Sequence, residues 1–331
     1  MKLRESGMPE EAYWESLFDV GLILSRMGVD GELGDVVELG CGYGTFTIPA
    51  AQRISGLLRA YDIDSDMVAR TRNRTKEAAI ENIACFRRDV FADGFDVAIG
   101  SQDACLLFNI LHCEEPVGLL TEAARVLRSG GHVLVIHWRH DPQTPRGPNL
   151  DIRPRPEMIV DWGRKTGLLV PEDTVIDLPP WHYGLRFRRA IRILFLCTGN
   201  SCRSQMAEGW ARHLKSDVIE PYSAGIETHG LNPLAVQVMA EAGVDISFQR
   251  SKHVDEVKDI AFDYVVTVCG HANEHCPMFP GKTRVIHVGF DDPPALAKGV
   301  VDEREVLNIY RRVRDDVRQY VESLPESFRP Q

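Results

Sequence analysis

The stretch ILFLCTGNSCRSQMAEGW, Ile193 to Trp210, joins an apolar run to a cysteine, a loop of small polar residues, an arginine and a helical pattern. Ile193–Leu196 read as a buried parallel strand, because the run is short, apolar and uninterrupted. Cys197 and Arg203 fit the spacing C-x5-R, and Ser204 opens the helix. This order delivers a thiol to a helix N-terminus, where unpaired backbone N–H groups and the positive end of the dipole gather. Such donors bind a tetrahedral oxyanion. They also favour a thiolate, so Cys197 is expected to be nucleophilic near neutral pH. The planar fork of Arg203 suits two oxygens of the same anion. Thr198, Gly199, Asn200, Ser201 and Cys202 are then the oxyanion-binding loop. In it Gly199 is expected to adopt special dihedrals, Asn200 to brace the loop by side-chain hydrogen bonds, and Cys202 to pack. Asp292, followed by Pro293 in GFDDPPA, offers a carboxyl that protonates a leaving oxygen.

All this comes only after some 190 residues of other sequence. The chain has 331 residues, more than one hydrophobic core usually serves, so two domains are expected. Apolar runs alternate with amphipathic stretches on both sides of residue 190, the mark of βαβ units. The expected fold is α/β with two doubly wound domains, over 1–189 and 190–331, the second smaller and built on a four-stranded parallel sheet. The junction GLRFRRAIRILFLC holds no Pro/Gly/Ser-rich linker. A net charge of -10 argues against nucleic acid as a partner. No apolar run approaches a membrane span, and the first residues are too polar for a secretion signal. A cytoplasmic protein is expected, in which eight cysteines are buried, catalytic or metal-binding rather than disulfide-bonded.

In the first half, VVELGCGYGTF is a strand followed by a glycine-rich turn. Gly40, Gly42 and Gly44 let the backbone turn tightly and approach a ligand. A second strand ends in Asp62, some 20 residues on, where an acid can hold ribose hydroxyls. Asp89 follows in FRRDV, and LLTEAARVLRSGGHVLVIHW reads as helix, Gly-Gly turn and strand. The glycine turn alone suits several nucleoside ligands, or none. Asn109, His112 and Trp138 follow strand ends and are candidates to face a second substrate. Cys41, Cys85, Cys105 and Cys113 read as small buried residues.

Together these motifs resemble the class I S-adenosylmethionine-dependent methyltransferases over roughly residues 10–188. The resemblance implies S-adenosyl-L-methionine as cofactor, with Gly40, Gly42 and Gly44 along its methionine and ribose portion. Asp62 would hold the ribose hydroxyls, Asp89 the adenine amino group, and Glu38 would lie near the amino end. The methyl acceptor is left unspecified.

The second half has the phosphatase-like C-x5-R loop and downstream Asp-Pro, but also VVTVCGHANEHCP, with Cys269 at a strand end and Cys276 seven residues on. With YSAGIETHGLNP, these motifs resemble the thioredoxin-coupled arsenate reductases of the low-molecular-weight tyrosine phosphatase fold, over about 191–325. The resemblance implies that Cys197 attacks arsenate, Asp292 protonates the departing oxygen and Ser204 holds the thiolate. Cys269 then attacks Cys197, Cys276 attacks Cys269, and thioredoxin reduces the final disulfide. The relay needs a mobile segment, expected in the loop from Gly270 to His275. Some members of this family bind potassium. Asn200, Glu208 and Ser223 match that set, but a lysine or histidine in SFQRSKHVDE replaces its acid, so no potassium is expected. His271, His275 and His287 interleave with the cysteines without a zinc-finger spacing, so no metal is expected. The alternative is a tyrosine phosphatase fused to a domain that senses S-adenosylmethionine.

Overall fold

The computed structural model describes residues 8–172, 174–280 and 283–328. Contacts divide the chain into two units, Met1–Arg189 and Ala190–Gln331. Among the described residues of the first unit the strands are β1 (Val36–Leu39), β2 (Leu58–Asp62), β3 (Ile83–Arg87), β4 (Gln102–Phe108), β5 (Leu127–Trp138), β6 (Leu169–Pro171), β7 (Ile176–Leu178) and β8 (His182–Arg189). They lie in the order β3-β2-β1-β4-β5-β8-β6, with β7 also on β8. β1 to β5 run parallel, and β8 pairs antiparallel with β5, β6 and β7. The sheet is covered on both faces, so its central strands are mostly apolar, and all seven residues of β4 are buried. Successive residues feed opposite cores: Val36 and Leu106 one, Val37 and Leu107 the other.

The expected helix–turn–strand at LRSGG differs in detail. The helix Pro116–Val126 passes directly into β5, and Gln102 pairs with Leu127 while Ala104 pairs with His132. Arg128 to Gly131 are therefore a bulge, made possible by Gly130 at φ 75°.

The second unit holds β9 (Ile191–Cys197), β10 (Ile219–Gly225), β11 (Tyr264–Thr267) and β12 (Arg284–His287), all parallel, in the order β10-β9-β11-β12. The helix Arg203–Leu214 buries Met206, Ala207, Trp210 and Ala211, one face at helical spacing. The helix Glu303–Glu322 adds Tyr310, Val313, Val317 and Val321, and its Arg314 carbonyl accepts from Trp210 Nε1 at 3.2 Å. Each buried Met or Val side chain among these contributes about 1.5–3 kcal/mol.

In both sheets the strand order reverses beside a central strand, between β1 and β4 and between β9 and β11. Such reversals open a crevice at the carboxyl ends of the strands, where ligands of α/β folds bind. Among the described residues no helix is long and apolar enough to cross a membrane.

Candidate functional site

Cys197 is the last residue of β9 and only 4% exposed. Its Sγ accepts from the backbone N–H of Asn200 at 3.0 Å and lies 2.9 Å from Ser204 Oγ. The turn is made by Asn200, whose φ of 45° is left-handed, a conformation asparagine tolerates better than most residues. Its Nδ2 donates to Ser204 Oγ at 3.0 Å and to Ser223 Oγ at 2.9 Å. Its Oδ1 accepts from the backbone of Lys252 at 2.7 Å and from Gln205 Nε2 at 2.9 Å. One fully buried amide thus ties the loop to three other segments.

Gly199 serves the loop differently from expectation. It has no left-handed dihedral; a Cβ there would sit 2.4 Å from His229 Nδ1, so the need is for space. Ser201 receives the backbone N–H of Asn232 at 3.1 Å, and Cys202 caps the helix. Burial pushes the Cys202 thiol up to about 12. Arg203 donates to the Phe290 carbonyl at 2.9 Å and pairs with Asp292 Oδ1 at 3.0 Å. Asp292 precedes the helix Pro293–Leu296 and so faces the loop from another segment.

The Cys197 thiol was expected below its ordinary value. Burial pushes it up instead, against the Ser204 hydroxyl and the Asn200 amide, which draw it down. The expectation counted donors and omitted the loss of water around a sulfur that is almost fully enclosed.

Below the loop, Ser223 Oγ donates to Glu208 Oε2 at 2.5 Å, Arg212 pairs with Glu208 Oε1 at 2.8 Å, and Lys252 Nζ lies 3.4 Å from Oε2. An ammonium group therefore stands against the Asn200–Glu208–Ser223 set.

Cys269 follows β11, which continues the ladder on β9 through Val268 N–H to the Leu196 carbonyl at 2.9 Å. This brings Cys269 beside the loop, with its Sγ 3.3 Å from Thr198 Oγ1. Cys276 is half-buried, its thiol raised by that burial and 3.6 Å from the Pro277 carbonyl. The segment between them is a short helix, Gly270–Glu274, where an irregular loop was expected. His271 and His275 stack on it at 4.4 Å, while His287 meets Thr267 Oγ1 at 2.9 Å. Among the described residues no group of three His, Cys, Asp or Glu side chains is placed to hold a metal.

In the first unit a cavity at the end of β1 is lined by Gly40, Asp62, Ile63, Asp89, Phe91 and Ile110. Gly40 is left-handed at φ 84°, and a Cβ on it would approach Ile110 Cδ1 to 2.7 Å. Asp62 Oδ2 accepts from Gly42 N–H and Oδ1 from Asp64 N–H, both at 3.0 Å. Burial raises its carboxyl. Gly44, at φ 81°, lets the turn close on Thr71. Asp89 Oδ1 accepts from Phe91 and Ala92 N–H, which fixes its carboxylate at the cavity wall. Glu38 is buried behind the turn, its Oε2 without a hydrogen-bond partner. Burial pushes it up to about 7, against Thr47, which draws it down, with the charge of Asp62 adding to the rise. Three carboxylates around one glycine turn, one of them buried and incompletely paired, fit a ligand bearing ammonium and sulfonium charges.

Of the three acceptor-side candidates, Asn109 ends β4 at φ 58°, both amide atoms buried and without hydrogen-bond partners. Trp138 packs into the core with Trp14, Phe18 and His182. His112 meets His137 edge to face at 5.6 Å. His137 and His182 were not foreseen. Both are fully buried, with no hydrogen bond to either ring nitrogen. Burial lowers both, His182 to about 3 and His137 well below the usual imidazole range, so both rings are neutral. No short-range pattern marks them, because antiparallel β5 and β8 pair His137 with Tyr183 and His182 with Trp138 from distant sequence.

A family model described as low molecular weight phosphotyrosine protein phosphatase matches residues 192–329. One described as a methyltransferase domain matches residues 36–131. The two units are thus a methyltransferase domain and a phosphatase-fold domain in one chain. The arsenate reductase of Halalkalibacterium halodurans is 49% identical over 135 residues, covering 41% of this chain and 95% of that protein. The arsenate reductase of Bacillus subtilis is 50% identical over 135 residues, again 41% and 95%. Through its second unit the chain belongs to the arsenate reductase family. A SAM dependent methyltransferase from Aquifex aeolicus aligns at TM-score 0.49 with 17% identity, over 55% of this chain and 94% of that one.

Proposed function

We propose that the second unit reduces arsenate to arsenite with Cys197, Cys269 and Cys276, and that thioredoxin restores the thiols. The observation that carries this reading is Cys269 beside the oxyanion loop, joined to it through Thr198 at 3.3 Å. A phosphatase needs Cys197, Arg203 and Asp292 but no second sulfur there. The names of the relatives support the same substrate.

Arsenate settles among the amides of residues 197–203. Its oxygens compete with Asp292 for the Arg203 guanidinium and release that carboxyl to act as acid. Cys197 loses its proton as arsenate binds, a loss the Ser204 hydroxyl and Asn200 N–H favour against burial, and its sulfur attacks arsenic while Asp292 protonates the departing oxygen. Cys269 sulfur then attacks Cys197 sulfur. The S–As bond breaks with its electron pair on arsenic, As(V) becomes As(III), and arsenite leaves. Cys276 attacks Cys269 and frees Cys197 as a thiol. Thioredoxin's two thiols reduce the Cys269–Cys276 disulfide. Cys269 precedes the Gly270–Glu274 helix and Cys276 lies beyond its end, so the relay calls on this segment to move between steps. A relay of free thiols belongs in the reducing cytoplasm.

The first unit transfers a methyl group from S-adenosylmethionine, which when bound supplies an electrophilic methyl. Asp62 receives the ribose hydroxyls, Asp89 the adenine amino group, and Glu38 faces the cationic end. Asn109 at the end of β4 is placed to orient an acceptor.

The test is arsenate-dependent NADPH oxidation with thioredoxin and its reductase. Wild type should turn over, and Cys197→Ser, Cys269→Ser and Cys276→Ser should not. Cys276→Ser should still release one arsenite per chain. No NADPH oxidation by the wild type, together with phosphoester hydrolysis that Cys269→Ser leaves intact, would move the reading to a phosphatase. Labelled S-adenosylmethionine with arsenite and a thiol tests arsenic as the acceptor, and absence of methylated arsenic removes that link between the units.

A further inference from the structure

We propose that His271 is the proton acceptor for Cys269, reached through the Thr198 hydroxyl. The inference rests on the reductase reading and adds a step to it. Cys269 attacks as a thiolate, so its proton must leave first. Cys269 is buried, with 9% of the residue exposed, which limits direct transfer of that proton to bulk water. The side chain within hydrogen-bond reach of the sulfur is Thr198, with Oγ1 at 3.3 Å. The same Oγ1 lies 3.5 Å from His271 Nδ1. A hydroxyl carries one proton. It can accept from the thiol only while passing its own proton onward, and the imidazole is the acceptor on the far side. His271 is exposed, so it can return the proton to solvent. Its backbone carbonyl is held by His275 N–H at 3.2 Å and lies 2.9 Å from His275 Nδ1.

The step balances. The Cys269 proton moves to Thr198 Oγ1 as the Thr198 proton moves to His271 Nδ1. The sulfur pair forms the bond to Cys197, and the Cys197–As pair stays with arsenic. Cys197 and Cys269 are oxidised, arsenic is reduced by two electrons, and His271 ends protonated.

The titratable groups around His271 are few. His275 stacks on it at 4.4 Å, and Glu274 shares its helix. From the strands packed against that helix come Cys197 and Cys269. Arg192 of β9 and Tyr264 of β11 sit at the opposite ends of those strands.

The experiment uses the full chain in a Cys276→Ser background, where the reaction stops at the Cys197–Cys269 disulfide. Single-turnover arsenite release is followed against pH. Adding His271→Gln should slow release on the order of 100-fold near neutral pH, a usual general-base contribution. It should also replace the acid limb of the profile by a rate that rises with hydroxide. Thr198→Val should do the same, and Thr198→Ser should keep the parent rate. Added imidazole should restore His271→Ala. A profile unchanged by His271→Gln, or an unaffected Thr198→Val, overturns the relay. A second arm needs no arsenate: iodoacetamide labelling of Cys269, read by mass spectrometry at neutral pH, should slow several-fold in His271→Gln. Absence of arsenite from the parent overturns the reductase reading. Unchanged labelling overturns the relay itself.

Discussion

Each unit sets a turn at the carboxyl end of a central parallel strand, where the strand order reverses, but the turns are finished in different ways. The Cys197–Arg203 loop is braced largely by its own chain, although Gln205 Oε1 in that network is buried without a partner. Asn200 alone makes four side-chain bonds, to Ser204, Ser223, Lys252 and Gln205. The Gly40–Gly44 turn leaves Glu38 Oε2 and both amide atoms of Asn109 buried without hydrogen-bond partners. Buried polar groups are normally paired. The oxyanion-type loop is thus preorganised mostly by protein groups. The crevice that fits a large charged cofactor leaves part of its polar set for the ligand to complete. Substitutions should therefore lower stability in the first case and ligand affinity in the second.

The largest effect is expected at Asn200. Asn200→Ala removes four bonds and puts a Cβ-bearing residue without a polar side chain at φ 45°. Buried partners left unsatisfied cost about 1–3 kcal/mol each, partly relieved by relaxation. A loss of about 4 kcal/mol in the second unit's urea transition follows, with the first unit's transition unmoved. Asn200→Gly should recover about 1 kcal/mol by relieving the dihedral alone. A loss under about 1 kcal/mol for Asn200→Ala would erase the contrast between the two turns.

Glu38 gives the next largest effect and sharpens the comparison from the other side. Its carboxyl is raised to about 7 from the ordinary 4.5. The folded, cofactor-free protein therefore binds this proton more tightly than the unfolded chain. The stability it contributes is full below pH 4.5 and is lost as pH rises through 7, about 3 kcal/mol in all. A cation bound nearby favours the carboxylate. S-adenosylmethionine should bind more tightly as pH rises toward 7, releasing one proton below that point, and no more tightly above it. Glu38→Gln should lose roughly tenfold in affinity at neutral pH and flatten the profile. Calorimetry in buffers of different ionisation enthalpy reads the proton directly. Binding without proton release would mean that Glu38 does not face the cationic end.

The sequence carried the oxyanion loop well because strand, thiol, turn and arginine are contiguous and each has its own local signature. The same holds for the glycine turn and Asp62. What it hid came from strand pairing and burial. Nothing local says that β9 and β11 are neighbours, so the contact of Thr198 with Cys269 had no signal. Antiparallel β5 and β8 set His137 against Tyr183 and His182 against Trp138, and neither histidine follows a motif. The Gly270–Glu274 helix is too short to show a period. The direction of the Cys197 shift was misread because donors can be counted in sequence and lost water cannot.

The smallest effect expected is at Lys252, the residue that decides whether the loop needs an added ion. Its ammonium lies 3.4 Å from Glu208 Oε2, on the carboxylate that Ser223 and Arg212 also hold. The protein's own cation thus occupies the position next to the Asn200 network. Replacing sodium by potassium at constant ionic strength should leave the arsenate reduction rate of the wild type unchanged. Lys252→Ala keeps the backbone N–H on Asn200 Oδ1 and the Arg212 pair, so its cost should stay near 1 kcal/mol rather than that of a fully stripped buried charge. The space it opens is bordered by a carboxylate and hydroxyls, a donor set that accepts a hard monovalent cation. Potassium should then stabilise Lys252→Ala in urea denaturation, and a bulky tetramethylammonium ion should not. A wild type that responds to potassium as strongly as the variant would show that the ammonium does not fill that role, and that this loop is less self-sufficient than its hydrogen bonds imply.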